Sequence, residues 1–167
     1  MRVQLVGFAM HGIDIAVLAT DQLLSPTREI LPTDRHYYLS QDAFFLGFPY
    51  GMMTGFEPCN NGYPIPFVKK ATISNFGDSE NGTRIIYLDG HNNPGFSGGP
   101  VFYNSLEDHS FRIAGVVFGF RFSREPIYIG DAKARMHYQY NTGITLAYGI
   151  EHALEVIHAN PIGFGYR

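Results

Sequence analysis

The segment 94–101 limits the fold of this chain more than any other. It reads Pro-Gly-Phe-Ser-Gly-Gly-Pro-Val, with three glycines and two prolines in eight residues. Proline lacks a backbone donor and glycine loses extra entropy on ordering, so the segment is neither a helix nor a central strand. We predict a shaped loop with Ser97 at its centre, in which Gly95 turns the backbone so that both residues point their N–H groups at one spot. Two such N–H donors beside a hydroxyl nucleophile are what the stabilisation of a tetrahedral oxyanion requires.

Two other interpretations of this segment remain open on the residues alone. The first is a tight turn between strands with no chemical role. The second is the nucleophile elbow Gly-x-Ser-x-Gly of α/β-hydrolases, which Gly95 to Gly99 also satisfies. That elbow leads from a strand directly into a helix, whereas Gly-Gly-Pro follows Ser97 here and Val101 begins a strand-like run. The sequence therefore favours a loop between strands over the elbow.

A longer match gives this loop a resemblance to a known family. The run from Asn93 to Val101, with Asp89 eight positions before Ser97, resembles the nucleophile loop of trypsin-like serine peptidases, especially the bacterial Deg-type branch. In that family the serine is acylated, and the glycine two positions before it supplies half of the oxyanion hole. The resemblance implies these roles for Ser97 and Gly95. The family has Asn or Asp at the position that Phe96 occupies here.

A carboxylate inside an apolar run is the second motif. Asp14 interrupts the run from Ile13 to Ala19. An Asp in such a run needs a hydrogen-bond partner, unless it stands at a strand entrance and faces water. The run resembles the Asp-Ile-Ala-Leu-Leu segment that holds the aspartate of the trypsin-like triad. By that resemblance Asp14 would orient the catalytic imidazole and stabilise it when protonated.

The resemblance extends to a third motif and to a specificity pocket. The segment 44–51 predicts a buried strand ending in a turn, and it resembles the Gly-x-Pro-x-Gly segment that opens the second barrel of Deg-type peptidases. By the same resemblance the substrate-binding residues are His91, Asn92, Phe118, Gly119 and Phe120. Trypsin has a carboxylate where this chain has His91, so we expect no preference for Lys or Arg. An apolar side chain is expected in the pocket, with a Glu recognised by His91 as the alternative.

Short apolar runs separated by turn residues predict an all-β chain. Aromatic residues make up 15% of the sequence, which favours strands. We predict strands over 2–9, 66–74, 84–88, 101–103, 111–120 and 141–147, a possible strand over 37–39, a turn over 75–82, a long hairpin over 121–140 and a helix over 151–158. The resemblance implies a single trypsin-like double β-barrel domain over 1–167. Its parts are an incomplete first barrel (1–40), a complete second barrel (41–150) and a C-terminal helix (151–160).

The histidine of the triad has no matching position in this sequence. The family order is His, Asp, Ser, with the His some tens of residues before the Asp, but only thirteen residues precede Asp14. His11 is the one His among them, and three residues are too few for it to bridge Asp14 and Ser97. We expect either a fragment whose parent has the His or a shortened, inactive relative. The fragment is favoured because deleting the first strands of a barrel exposes pairing edges.

Composition excludes several other classes of function. The net charge is −3 without a basic run, so we expect no nucleic-acid partner. No apolar segment reaches transmembrane length and no signal peptide is evident, which leaves the compartment open and favours the cytoplasm. Cys59 is the single cysteine and is expected to be a bystander. No metal-ligand spacing is present, and no cofactor is expected. The expected function is a serine endopeptidase acting on polypeptides; the alternative is an inactive, peptide-binding relative.

Overall fold

The computed structural model describes residues 2–10, 12–22, 30–33, 36–54 and 63–162. These residues form two antiparallel sheets, a short 3₁₀ turn (Pro49–Gly51) and one helix. The first sheet pairs β1 (Val3–Phe8) with β2 (Ala16–Thr20). The second contains β3 (Asp42–Gly47), β4 (Phe67–Asp78), β5 (Arg84–Asp89), β6 (Pro100–Asn104), β7 (Phe111–Ile129) and β8 (Ala132–Gly149), followed by α1 (Glu151–Ala159). The fold is thus mostly β, as the sequence predicted.

The six strands of the second sheet pair in a closed ring. Their order is β3-β4-β5-β8-β7-β6, every neighbouring pair is antiparallel, and β6 returns to pair with β3. Within the ring, β6-β3-β4-β5 is the order of a Greek key, in which the fourth strand reaches the first through a long connection. That connection is the loop 90–99, which we call the serine loop. Ser97 therefore lies on the crossover that closes the ring.

Every second side chain of the strands points into the ring and fills its interior. In β3, Ala43 and Phe45 are fully buried while Phe44 and Leu46, which alternate with them, are partly exposed, because successive side chains of a strand point to opposite faces. All six strands contribute to one apolar cluster, which also includes residues from two loops. Its members are Tyr37, Ala43, Phe45, Ala71, Ile73, Ile86, Leu88, Phe96, Val101, Tyr103, Ala114, Val117 and Ala147.

The strands β7 and β8 extend well beyond the ring. β6 pairs with β7 only as far as Val116, and β5 pairs with β8 only from Ile144. The two long strands nevertheless continue to pair with each other as far as Ile129 and Ala132, with Gly130 in the turn at φ +60°. We call residues 121–140 the arm. The long hairpin predicted for this segment is confirmed.

The helix α1 joins the two sheets. Val156 packs on Gly7 of β1, where a Cβ would lie 3.0 Å from its Cγ1. On the ring side, the buried His152 accepts a hydrogen bond at Nε2 from the backbone N–H of Arg84 (2.9 Å). The helix predicted over 151–158 is confirmed. No helix in the described part of the chain is long and apolar enough to cross a membrane.

Two local predictions are wrong. The possible strand over 37–39 is an irregular segment, although Tyr37 is buried and packs edge-on against Phe76, with ring centroids 5.2 Å apart. The turn predicted over 75–82 begins later, because β4 continues to Asp78 beyond a bulge and pairs there with Arg84. The position of Tyr37 depends on contacts with residues far along the chain, which local residue preferences do not reveal.

Candidate active site

The start of the serine loop is held on β8 by three hydrogen bonds. The N–H of Gly90 donates to the carbonyl of Gly143 (2.8 Å), and its own carbonyl accepts from the hydroxyl of Thr145 (2.6 Å). The side-chain amide of Asn141 donates to the carbonyl of Asn92 (2.6 Å). These partners lie 49 to 55 residues further along the chain, so only closure of the ring brings them to the loop.

Asn92 links the serine loop to β7. Its side chain is 1% exposed, and its Nδ2 donates to the carbonyl of Gly119 (3.0 Å). Its Oδ1 is buried with no partner among the described residues. Two residues assigned to substrate binding by resemblance, Asn92 and Gly119, are therefore in contact. Phe118 beside them stacks on Tyr148 at a centroid distance of 4.0 Å, and Phe120 is partly exposed.

Gly95 brings the serine loop against the segment 48–51. It adopts φ +103°, a conformation that favours glycine. Its carbonyl accepts from the N–H of Phe48 (2.9 Å), and the carbonyl of Pro94 accepts from the N–H of Tyr50 (2.9 Å). A Cβ on Gly95 would overlap the carbonyl oxygen of Phe48. Two motifs recognised separately in the sequence are thus bonded to each other through their backbones.

Phe96 anchors the centre of the loop in the core. Its side chain is fully buried and packs edge-on against Phe45, with ring centroids 5.1 Å apart. Ser97, the next residue, is exposed. The apolar residue that departs from the family pattern at this position has a structural role here, because it fixes the loop from inside while Ser97 faces outward.

Lys69 of β4 is a loop contact that the sequence did not reveal. Its Nζ donates to the carbonyl of His91 (2.6 Å) and to Oδ1 of Asn93, and it lies 5.2 Å from the centre of the Phe96 ring. Burial lowers the pKa of Lys69. His91 itself is exposed, so the contact is with its backbone. The only sign of this contact in the sequence was the position of Lys69 in a strand with alternating side chains. A Lys at such a position more often faces solvent.

The backbone N–H groups from Gly95 to Gly99, around Ser97, divide into two sets. Three donate to carbonyls: Phe96 to Asn93 (3.4 Å), Gly98 to Val117 (2.8 Å) and Gly99 to Phe96 (2.9 Å). The N–H groups of Gly95 and Ser97 donate to no described residue. Both residues are exposed, so these donors are available to a ligand or to solvent. Unbonded donors in an otherwise bonded turn are what an oxyanion site requires.

The nucleophile-elbow interpretation is wrong. After Ser97 the chain turns at Gly98, with φ +83°, and enters β6 at Pro100. The carbonyl of Gly99 accepts from the N–H of Val117 (2.9 Å), which begins the pairing of this segment with β7. The serine is therefore followed by a turn and a strand, and the loop joins two strands.

Asp14 lies outside the ring, next to the other sheet. It lies two residues before β2 and is exposed between the buried residues Ile13 and Ile15, as an Asp at a strand entrance is. Its carboxylate makes no hydrogen bond or ion pair with the described residues. Within the described part of the chain, no bond therefore joins Asp14 to the serine loop.

No histidine in the described part of the chain hydrogen-bonds Ser97. His152 uses its Nε2 for the N–H of Arg84, and His91 is exposed within the loop itself. His11 and Cys59 lie outside the described residues. No group of His, Cys, Asp or Glu side chains suited to a metal ion occurs among the described residues.

Comparison of the chain with protein-family models, with curated proteins and with solved structures found no match. The resemblance to trypsin-like peptidases therefore rests on the motifs of this sequence.

Proposed function

We propose that the chain is the greater part of a trypsin-like serine peptidase domain, which hydrolyses peptide bonds through an acyl-enzyme on Ser97. One observation supports this most: the amides of Gly95 and Ser97 bond to no described residue, while the loop around them is bonded to β4, β7, β8 and the segment 48–51. In this proposal the ring is the complete second barrel and the sheet β1–β2 is the incomplete first one.

The proposed chemistry begins with Ser97 Oγ attacking the carbonyl carbon of the substrate peptide. The hydroxyl proton passes to an imidazole, and the N–H groups of Gly95 and Ser97 hold the resulting oxyanion. The oxyanion then collapses, and the C–N bond breaks as the imidazolium protonates the leaving amine. Water next gives a proton to the imidazole and attacks the acyl carbon, and the imidazolium returns a proton to Ser97 Oγ as the ester bond breaks. Asp14 would orient the imidazole. Since no described His bonds Ser97, the proposal takes that imidazole from a segment upstream of Met1.

In this proposal the pocket for the substrate side chain lies around the hydrogen bond between Asn92 and the carbonyl of Gly119. Phe118 and Phe120 flank Gly119 on β7, and His91 precedes Asn92 in the loop. The rings of Phe118 and Phe120 favour an apolar substrate side chain, because burial of apolar surface away from water is favourable. None of these five residues has a carboxylate that could pair with Lys or Arg.

The second candidate is a peptide-binding module without catalysis. It is favoured by two observations, since Ser97 has no base among the described residues and Asp14 is bonded to none of them. The closed ring does not need either group for its core. Removing a triad member leaves only the residual catalysis that binding and the oxyanion donors provide.

A fluorophosphonate probe distinguishes the two candidates, because it forms a covalent bond only with an activated serine. The test uses a longer chain that begins upstream of Met1 and contains the missing His. We expect labelling at Ser97, located by peptide mass mapping, loss of labelling in Ser97→Ala, and unchanged labelling in Ser74→Ala, which removes an exposed serine of β4. A folded longer chain that is not labelled would identify the binding module instead.

A further inference from the structure

The arm presents a strand edge that no described residue covers. Along 118–129, β7 pairs with β8 on one side, while its partner on the other side, β6, ends its pairing at Val116. Unpaired backbone groups of such an edge accept a further strand readily. A two-stranded ribbon is also marginally stable by itself. Pro126 lacks an N–H, so the row of available backbone groups runs from Phe118 to Glu125, with a bulge between Phe120 and Phe122. Over that stretch the arm has both the groups and the energetic reason to bind a third strand.

The open edge begins at the serine loop. Val117 exchanges hydrogen bonds with Gly98 and Gly99, and the carbonyl of Gly119 is taken by Asn92. Beyond Gly119 the edge continues outward along the arm without a strand partner among the described residues. A chain lying along this edge would thus lead directly from the arm to Ser97.

The arm has a charge opposite to that of the remaining chain. Residues 121–140 contain Arg121, Arg124, Lys133 and Arg135 against Glu125 and Asp131, which gives 4 − 2 = +2. The whole chain has −3, so the other residues sum to −5. No ion pair involves these cations among the described residues. Glu125 instead accepts hydrogen bonds from the hydroxyls of Tyr138 (3.0 Å) and Tyr140 (2.9 Å).

We propose that the arm binds an extended, acidic segment of the polypeptide substrate as an added strand on the β7 edge. The inference rests on the proposed function in making a polypeptide substrate the ligand. Backbone hydrogen bonds would provide affinity, and the unpaired cations would select carboxylates. Exposed Phe122 and Tyr128 on the same strand offer apolar contacts. Pairing of two arms from two copies is disfavoured, since both have the same charge.

The test measures binding to the Ser97→Ala chain by fluorescence anisotropy, so no cleavage is needed. The probe is a labelled, unstructured peptide with Glu at alternate positions. A second peptide has the same residues but N-methyl groups on alternate amides, which removes donors and keeps the charge. A third has Lys in place of each Glu. We expect the first peptide to bind, the second to bind at least about tenfold more weakly, and the third not to bind.

Charge reversal on the protein provides the matched comparison. The double variant Arg121→Glu/Arg124→Glu should weaken binding of the acidic peptide by about tenfold or more. Lys70→Glu makes the same kind of change on β4, at an exposed residue paired with Asp42 (2.8 Å), and should leave binding unchanged. Circular dichroism checks that each variant is folded.

Four outcomes would overturn the inference: no binding of the acidic peptide, equal binding of the N-methylated peptide, no effect of the arm double variant, or full competition by a short thymidine oligonucleotide. Failure of the proposed function looks different, because the longer chain would then bind the acidic peptide and remain unlabelled by the fluorophosphonate. Labelling of Ser97 without binding of the acidic peptide would overturn the proposal for the arm and leave the proposed function standing.

Discussion

The ring and the sheet β1–β2 differ in how they bury apolar side chains. Every strand of the ring has buried residues on its inner face, and together they form one cluster. Neither β1 nor β2 has a buried residue. Val3, Leu5 and Leu18 are all about half exposed or more. The ring therefore has its own core, whereas the outer apolar face of the small sheet is uncovered in the described structure.

This difference separates the two groups assigned to catalysis. Ser97 lies on a loop bonded throughout to the ring, so its position depends on a packed core. Asp14 lies beside a sheet that has no core of its own and is bonded to no described residue. Substitutions matched between the two regions test whether the contrast is real.

Leu88→Ala and Leu18→Ala compare the two regions with one chemical change. Leu88 is 0% exposed inside the ring and Leu18 is 61% exposed on β2. Truncating a buried Leu costs about 2–5 kcal/mol, whereas exposed positions change the free energy of unfolding by about 0.5 kcal/mol or less. Urea denaturation measures both values. A Leu18→Ala cost similar to that of Leu88→Ala would show that the small sheet is covered after all.

Gly95→Ala and Gly12→Ala separate steric overlap from backbone strain. Both glycines have positive φ (+103° and +75°), but a Cβ overlaps Phe48 at Gly95 and meets nothing within 4 Å at Gly12. Gly12→Ala should cost about 1–2 kcal/mol for the left-handed backbone alone. Gly95→Ala adds the overlap, so it should cost more and also abolish fluorophosphonate labelling of the longer chain. Equal costs would mean that the contact between the serine loop and 48–51 is loose.

Asn92→Ala and Gln4→Ala test a buried amide against an exposed one. Removing the Asn92 side chain leaves the carbonyl of Gly119 without its donor, which should cost about 1–3 kcal/mol. Gln4 of β1 is exposed, so Gln4→Ala should have an effect near zero. Thermal unfolding followed by circular dichroism measures both. The prediction fails if Asn92→Ala unfolds at the temperature of the unsubstituted chain.

Asp108→Asn and Asp14→Asn are expected to change stability least, and the effect of Asp108→Asn should depend on pH. Hydrogen bonds from Ser110, from Ser105 and from Arg112 lower the pKa of Asp108 below its usual range. A lowered folded-state pKa stabilises the fold above the unfolded value of about 3.9, and this contribution is lost as the pH falls through the folded value. Asp108→Asn should therefore lower the melting temperature at pH 7, with a difference that shrinks below about pH 4. Asp14→Asn should change the melting temperature little at pH 7, and a large drop there would contradict an exposed, unbonded carboxylate.

The sequence predicted most elements of the ring and missed most contacts of the serine loop. The short apolar runs at 84–88 and 101–103, the glycines and prolines of 94–100 and the helical spacing of 151–158 each predicted an element that the structure confirms. The burial of Phe96 and the bonds from Lys69, Asn141 and Thr145 were not predicted. The role of Ser97 as nucleophile and that of Asp14 stay predictions, which the labelling experiment tests.

What the sequence determined by itself is local. Side-chain alternation, helical spacing and the missing donor of proline act between residues a few positions apart, so they show in the order of residues. The tertiary structure alone decided which N–H groups of the serine loop are bonded and that Asn92 meets Gly119, 27 residues away. The reason is that these bonds form only when the ring closes, and closure depends on the combined packing of six strands rather than on any one segment.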